Sequence, residues 1–370
     1  MTESAPTELE RSLARRIGFS GPISVADFMS EALFHPRHGY YRHAAAIGRG
    51  GDFITAPEIS QVFGELIGAW LAERWTSLGR PAPINLVELG PGRGTLLADA
   101  LRATRKLSDL QQALRIHLVE INPQLRAQQR DRLAAIGCHA IEWHEQLADV
   151  PAGPVLLVAN EFFDALPVRQ LQAVRGGWSE RMIGVDPAGG LRFAVAPGPS
   201  PLAVLLPPQL ASAQFAAGTV AEIAPQRERL MHDIAGRLCI DPGCALILDY
   251  GRAESGPGAT LQAVRAHRQV DVLDRPGESD LSAHVDFAAL VRTARAAGAL
   301  AWGPSSQRHF LLALGIEARA AALQRDKSAE TARDLRLGVD RLIDPAGMGT
   351  LFQAVAIGSP GSPAPAGFET

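Results

Sequence analysis

The chain has little with which to cross-link itself: its 370 residues include only three cysteines, Cys138, Cys239 and Cys244. Their spacing supports neither a disulfide framework nor a zinc site, so they read as packing residues in a reducing compartment. Long apolar runs are missing as well. A membrane-crossing helix needs roughly 20 apolar residues, whereas "PVLLVA" and "PLAVLLPP" are short and bounded by prolines. A soluble protein without membrane insertion is expected. No polybasic block occurs, and 36 basic against 39 acidic residues leave a formal net charge of -3. Nothing here suggests a surface that tracks phosphates, which argues against nucleic acid as a partner. An organelle leader is not evident either. "ERSLARRIG" has some basic amphipathic character, but Glu3, Glu8 and Glu10 accompany it, and a cytoplasmic location is expected.

What is present is enough for a large core, with 46% hydrophobic residues and no internal repeat. Residues 1–80 read as a mainly helical segment with a glycine-rich break, "IGRGGDFITAPEIS", and a helix capped by Ser60. Residues 81–170 alternate strand and helix: "INLVEL", then "TLLADALRATRKL", then "RIHLVEIN", then a helix opened by Pro123, then the strand ending at Asn160. That alternation implies a parallel sheet. Residues 171–235 switch to short alternating runs separated by Gly-Gly and Asp-Pro turns, the pattern of antiparallel hairpins, and are taken as an insertion. Residues 236–358 return to the core through "PGCALILDYG", a helix between Asp286 and Gly298, inserted helices and a last strand "MGTLFQAVAIG". The tail 359–370, rich in Pro, Gly and Ser, is expected to be disordered.

"VELGPGRGT" places Gly90, Gly92 and Gly94 between a strand and a helix, where backbone must approach a ligand closely. It is not a P-loop, since Arg93-Gly94-Thr95 lacks the Lys-Ser or Lys-Thr step, and Thr95 stands where a dinucleotide fingerprint has its third glycine. S-adenosylmethionine poses a different problem, because it carries an ammonium, a carboxylate, a sulfonium and a ribose diol but no phosphate. Glu88 is placed to meet the cationic end, the helix N-terminus to meet the carboxylate, and Glu120 to accept both ribose hydroxyls. The competing reading is a glycine turn with two strand-end carboxylates in solvent.

The sequence also resembles the MidA-like methyltransferases, the family of the mitochondrial complex I assembly factor that methylates an arginine. The resemblance lies in "HPRHGYY", "GDFITAPEISQVFGE", "ELGPGRGTL", "NEFFDALPVRQ", "ILDYG", "PGESDLSAHVDFAAL" and "MGTLFQ", spread over most of the chain. Two positions depart from the family pattern: Arg252 follows "DYG", where His or Tyr is commoner, and Ala259 precedes "TLQA", where an acid is common. The resemblance implies a class I methyltransferase fold, a Rossmann-like, largely parallel sheet with an antiparallel last strand. It carries an N-terminal helical segment over the cofactor and a hairpin-bearing insertion. It also implies S-adenosylmethionine as cofactor and a protein arginine as acceptor, with a complex I subunit as a candidate. "GDFITAPE", with Asp52, Thr55 and Glu58, then becomes a loop that folds over the cofactor or the acceptor, Asp52 and Thr55 being candidate cofactor contacts.

In an open parallel sheet, ligands sit beyond the carboxyl ends of the strands, so Asn160, Glu161 and Asp164 should point toward the methyl donor. If the acceptor is an arginine, Glu161 and Asp164 can grip its planar cation and take its proton, with Asn160 beside them. Phe162 or Phe163 is a candidate pocket wall, the competing reading being that both rings are core and Asp164 caps a following turn. Glu222, Asp249 and Tyr250 are candidates for the acceptor side, with Asp249 as readily a strand-end cap. A metal held by Glu161 and Asp164 with His284 or Asp286 is set aside, because a carboxylate-rich set with no clear histidine pair is poorly diagnostic. His35 and His38 read as a turn. Two rival functions remain: a binding protein or assembly chaperone on the same fold, and a nicotinamide-dependent oxidoreductase, which Thr95 and the lack of an evident proton donor disfavour.

Overall fold

The computed structural model describes residues 5–42, 55–211 and 214–369. An eight-stranded sheet is its centre, in the order Leu300–Ser306, Phe352–Gly358, Gly243–Arg252, Val155–Asn160, Ile84–Leu89, Leu114–Val119 and Ile141–His144. The short strand Val285–Asp286 pairs off this path with Gly243–Arg252. The five strands from Gly243–Arg252 to Ile141–His144 are mutually parallel, and Phe352–Gly358 runs antiparallel to both its neighbours. This is the expected sheet with its antiparallel final strand.

Burial on both faces explains why these strands read as continuous apolar runs rather than alternating ones. Leu156, Val158, Leu246 and Leu248 join one core layer with Phe63, Trp70 and Leu96, while Leu157, Ala159, Ala245 and Ile247 join the other with Met231, Ile234 and Phe287. The first layer is roofed by the helices Gln61–Ser77 and Thr95–Thr104, the second by Pro225–Ile240 and Phe287–Ala296. Ser60 caps the helix after it by accepting the Val62 N–H, Pro123 opens its helix, and Asp286 caps Phe287–Ala296.

The hairpins form a second, antiparallel sheet of Ile23–Ser24, Gly177–Val185, Arg169–Val174 and Val220–Ile223, with Leu191–Val195 beside Gly177–Val185. The N-terminal helices Glu8–Ser20 and Val25–Phe34 pack here, through Leu13, Ile17, Phe28 and Met29 against Val168, Ile183 and Leu281. The expected helical cover is therefore split in two. The first half of the segment buttresses the hairpin sheet, and only the helix after Ser60 belongs to the central core. The tail is corrected more sharply: Phe368 is buried against Phe310, Trp70 donates its indole N–H to Ala366 O at 3.1 Å, and Arg74 reaches Pro363 O. Its prolines and glycine shape a fixed path across the helix Gln61–Ser77 instead of keeping it free. Among the described residues, no helix is long and apolar enough to cross a membrane.

Candidate active site

The strand Ile84–Leu89 has Leu114–Val119 on one side and Val155–Asn160 on the other, so the chain changes winding direction there. A crevice opens beyond the carboxyl ends of strands at such a point. Here it is a cavity of about 350 Å³, lined by residues of the glycine loop, of both flanking strand ends, of 55–58, and by Tyr41 and Asp280.

On the glycine-loop side, Gly90 sits at φ +63, and a Cβ there would lie 2.6 Å from Cδ2 of Phe162. The glycine is needed both for its backbone and because that ring packs on it. Glu88 is buried, its Oε2 has no hydrogen-bond partner, and burial pushes its carboxyl up to about 8. Glu120 follows the next strand. Its Oε1 accepts the Asn122 N–H at 2.8 Å, and burial raises its pKa against the pull of that bond. Gln129 donates to Gly92 O at 2.7 Å and lies 3.4 Å from Glu120 Oε2, tying the loop to this carboxylate.

Opposite stands the acidic strand end. Glu161 has φ +50, a left-handed conformation uncommon outside glycine and worth explaining. Its Oε1 accepts the Ala56 N–H at 2.8 Å and the Asn160 amide at 3.2 Å, while its Oε2 is buried without a partner. Burial, with Asp164 and Asp280 adding negative charge, pushes its carboxyl up to about 8. Asp164 is pushed up to about 6 by burial, which the nearby Arg227 cation opposes. Asn160 Oδ1 is also buried and partnerless.

The sequence-predicted residues divide accordingly. Thr55, Glu88, Gly90, Gly92, Glu120, Asn160, Glu161, Phe162 and Asp164 all line the one cavity. Gly94 does not; at φ +75 it forms the turn into the helix Thr95–Thr104. Phe163 is wholly buried in the core, so it walls nothing. Asp249 is buried beneath the strand end, and its Oδ2 accepts N–H bonds from Phe162, Phe163 and Asp164 at 3.1, 2.8 and 3.3 Å. It is the cap that shapes the acidic turn, not an acceptor contact. Tyr250 packs against His284 and Phe352, and Glu222 holds the Thr260 and Leu261 N–H groups and the Gln170 amide, so both stand outside the cavity lining and are not acceptor contacts. Asp52 lies outside the described residues. His35 Nδ1 accepts the Arg37 and His38 N–H groups, which makes "HPRH" the turn it looked like.

Tyr41, Asp280 and Arg227, which the sequence does not single out, belong here, together with Glu58 of "GDFITAPE", which it does. Tyr41, from the aromatic turn, donates its hydroxyl to Asp280 at 2.9 Å, and both line the cavity. Glu58 accepts the Thr95 hydroxyl and lies 3.9 Å from both Arg93 and Arg132, which latches the 55–59 segment onto the helix after the glycine loop. Arg227, buried in the helix Pro225–Ile240, donates to the carbonyls of Asp164, Leu166, Ala283 and His284 and so holds two cavity-side loops together. Asp280 and Tyr41 sat inside quoted motifs and were legible in principle. Arg227 carried no local signal.

Buried acceptor atoms without a donor are costly, and three of them, on Glu88, Asn160 and Glu161, belong to residues of one cavity. The set fits a ligand rich in N–H and O–H donors and carrying positive charge, which S-adenosylmethionine and an arginine both are.

Known proteins agree. Residues 66–305 match a family described as S-adenosyl-L-methionine-dependent methyltransferase. The chain is 38% identical to the Drosophila melanogaster protein arginine methyltransferase NDUFAF7 homolog, mitochondrial, over 96% of this chain and 86% of that one. It is 35% identical to human protein arginine methyltransferase NDUFAF7, mitochondrial, over 96% and 84%. A crystal structure of a Burkholderia thailandensis protein bound to S-adenosyl-homocysteine superposes with TM-score 0.84 at 29% identity, covering 98% of this chain and 97% of that one. The names of the relatives place them in mitochondria, which overturns the cytoplasmic expectation drawn from composition and from the acidic N-terminal residues.

Proposed function

The chain belongs to the MidA-like family of S-adenosyl-L-methionine-dependent methyltransferases, and on that premise we propose that it methylates arginine side chains of a protein. The observation that carries the acceptor is the set of three carboxylates, Glu161, Asp164 and Asp280, on the wall of the cavity that also holds the glycine loop. A guanidinium is planar, permanently charged and has five donors, and paired carboxylates match it better than any neutral acceptor would.

Glu88 would hold the ammonium of the methyl donor, Glu120 its ribose hydroxyls, and the Gly90–Gly92 backbone would pass close beside it. When bound, S-adenosylmethionine supplies an electrophilic methyl group on a sulfonium. Glu161 and Asp164 orient the acceptor cation, Phe162 excludes water, and Glu161 Oε2 is the atom free to take the proton lost from nitrogen. The turn that presents Glu161 is fixed from below by Asp249 and from the side by Ala56, so the carboxylate meets its ligand already positioned. Asp280, oriented by the Tyr41 hydroxyl, adds a third anion on the acceptor side. A subunit of respiratory complex I is the first acceptor to assay, as the family resemblance implies.

Incubation of the protein with isotopically labelled S-adenosylmethionine and mitochondrial extract, followed by peptide mass spectrometry, tests the reading. Label on arginine in wild type, lost in Glu161→Gln, is the expected result. Label confined to lysine or small molecules, or no label despite donor binding, overturns it in favour of another acceptor or of the chaperone reading.

A further inference from the structure

Two histidines that no motif joins meet at the edge of the central sheet. His117 lies on Leu114–Val119 and His144 on the edge strand Ile141–His144, 27 residues apart, yet His117 Nδ1 and His144 Nε2 are 3.0 Å from each other. Glu142, directly across the ladder from His117, brings its Oε2 to 3.9 Å from the same Nδ1. Among the described residues, this is the only trio of His, Cys, Asp and Glu whose ligand atoms all converge within 4.8 Å. We propose that His117, His144 and Glu142 bind a divalent transition metal, with zinc the best fit, in a site on the sheet edge outside the methyl-donor cavity.

The geometry is near what such an ion requires. Ligands at about 2.0–2.2 Å in a tetrahedron stand about 3.3–3.6 Å apart. The two nitrogens must open by a few tenths of an ångström, and Glu142, 64% exposed and free to change rotamer, must close by a similar amount. Two imidazoles and one carboxylate are a set that suits zinc and leave one position for water. The second shell is also in place. His117 Nε2 faces Asn85 Oδ1 at 3.2 Å, and Asn85 is itself held by its amide donating to Pro151 O at 3.0 Å. Asn85 Oδ1 can only accept, so His117 carries its proton on Nε2 and presents a bare Nδ1 lone pair to the shared point, as a metal ligand must. Arg237, whose charge opposes a cation, is engaged by the Val150 and Pro151 carbonyls.

The site has a structural consequence for the cavity. The carbonyl of His144 accepts the Glu120 N–H at 3.0 Å and a bond from Arg126 at 3.2 Å. A metal fixing His144 to His117 would thus pin the edge strand on which the Glu120 backbone rests. Local spacing in the sequence does not reveal the His117–His144 pair, because only pairing of the two strands brings it together.

The test is Co²⁺ titration of the full-length protein after chelator treatment, read by the visible absorption of tetrahedral cobalt, with Zn²⁺ competition. Wild type should take up one equivalent that zinc displaces, and His144→Gln and Glu142→Gln should bind at least tenfold more weakly. Both positions are solvent-accessible, so the variants should fold, and His117 need not be touched. Zinc should raise the unfolding temperature of wild type and not of His144→Gln. Absence of the cobalt band, or uptake unchanged in both variants, would overturn the proposal.

Discussion

Glu161 combines a left-handed backbone, one oxygen engaged by the Ala56 N–H and another with no partner in a buried place. A carboxyl held at about 8 is largely protonated at neutral pH, so binding a cation there must ionise it. The ratio kcat/KM for methyl transfer should therefore rise as pH increases through about 8 and level off above it, a limb that a pH–rate profile of Glu161→Gln should lack. That variant should lose about 100-fold or more in kcat while its affinity for S-adenosylmethionine, measured by calorimetry, stays within a few-fold. Glu88→Gln should do the reverse and weaken donor binding. The same two groups make a stability prediction. Each holds its proton to about 8 in the fold against an ordinary 4.5, so the ligand-free protein binds more protons than its unfolded chain between those values. Stability from this source is complete below about pH 4.5 and lost as pH rises through about 8. Urea midpoints should fall between about pH 6 and pH 9, and by less in Glu88→Gln. These residues were legible because strand ends in a parallel sheet dictate where carboxylates point. Asp249 is the strand-end cap, one of its two sequence readings, and Phe163 is core, because a core ring has the same spelling as a pocket wall.

At the scale of elements, the acidic turn and the glycine loop fit each other through one contact. Adding a methyl at Gly90 drives it into Phe162 and leaves a non-glycine residue at φ +63, so Gly90→Ala should cost about 1–3 kcal/mol and weaken donor binding. Phe162→Leu should relieve part of the steric loss in the double variant, which chemical denaturation of the four-protein cycle would show. The turn rests on Asp249 and Arg227; the cap at Asp249 is one of the two roles its strand-end position allows, whereas Arg227 is not visible in the sequence, since it acts through carbonyls of segments far along the chain. Strand and helix order, by contrast, followed from apolar runs, Pro123, Ser60 and Asp286, because those signals are local.

Across the whole molecule, the central sheet places Glu88, the glycine loop, Glu120 and the acidic turn at one switch point, while Asp280 comes from the strand Asp280–Ser282 of a separate three-stranded sheet and Tyr41 from the short helix Tyr40–Arg42. The C-terminal segment belongs to this body. Removing residues 361–370 uncovers Phe310 and the Trp70 indole, and should destabilise the protein by about 2 kcal/mol, read as a lower unfolding midpoint. Composition misled there, because Pro and Gly mark a fixed turning path as readily as a loose one. The location of the protein was misjudged for a related reason: overall charge and a few acidic residues near the start say little about an address. The central claim, that Glu161 and Asp164 grip an arginine beside the methyl donor, has a direct test. Methyl transfer from S-adenosylmethionine to an arginine peptide of the acceptor protein should be measured in wild type, Glu161→Gln and Asp164→Asn, with donor affinity determined for each. Donor binding close to wild type in both variants, with transfer to arginine lost or raised steeply in KM, is the expected result; full transfer by both variants at wild-type KM would show that neither carboxylate grips the acceptor.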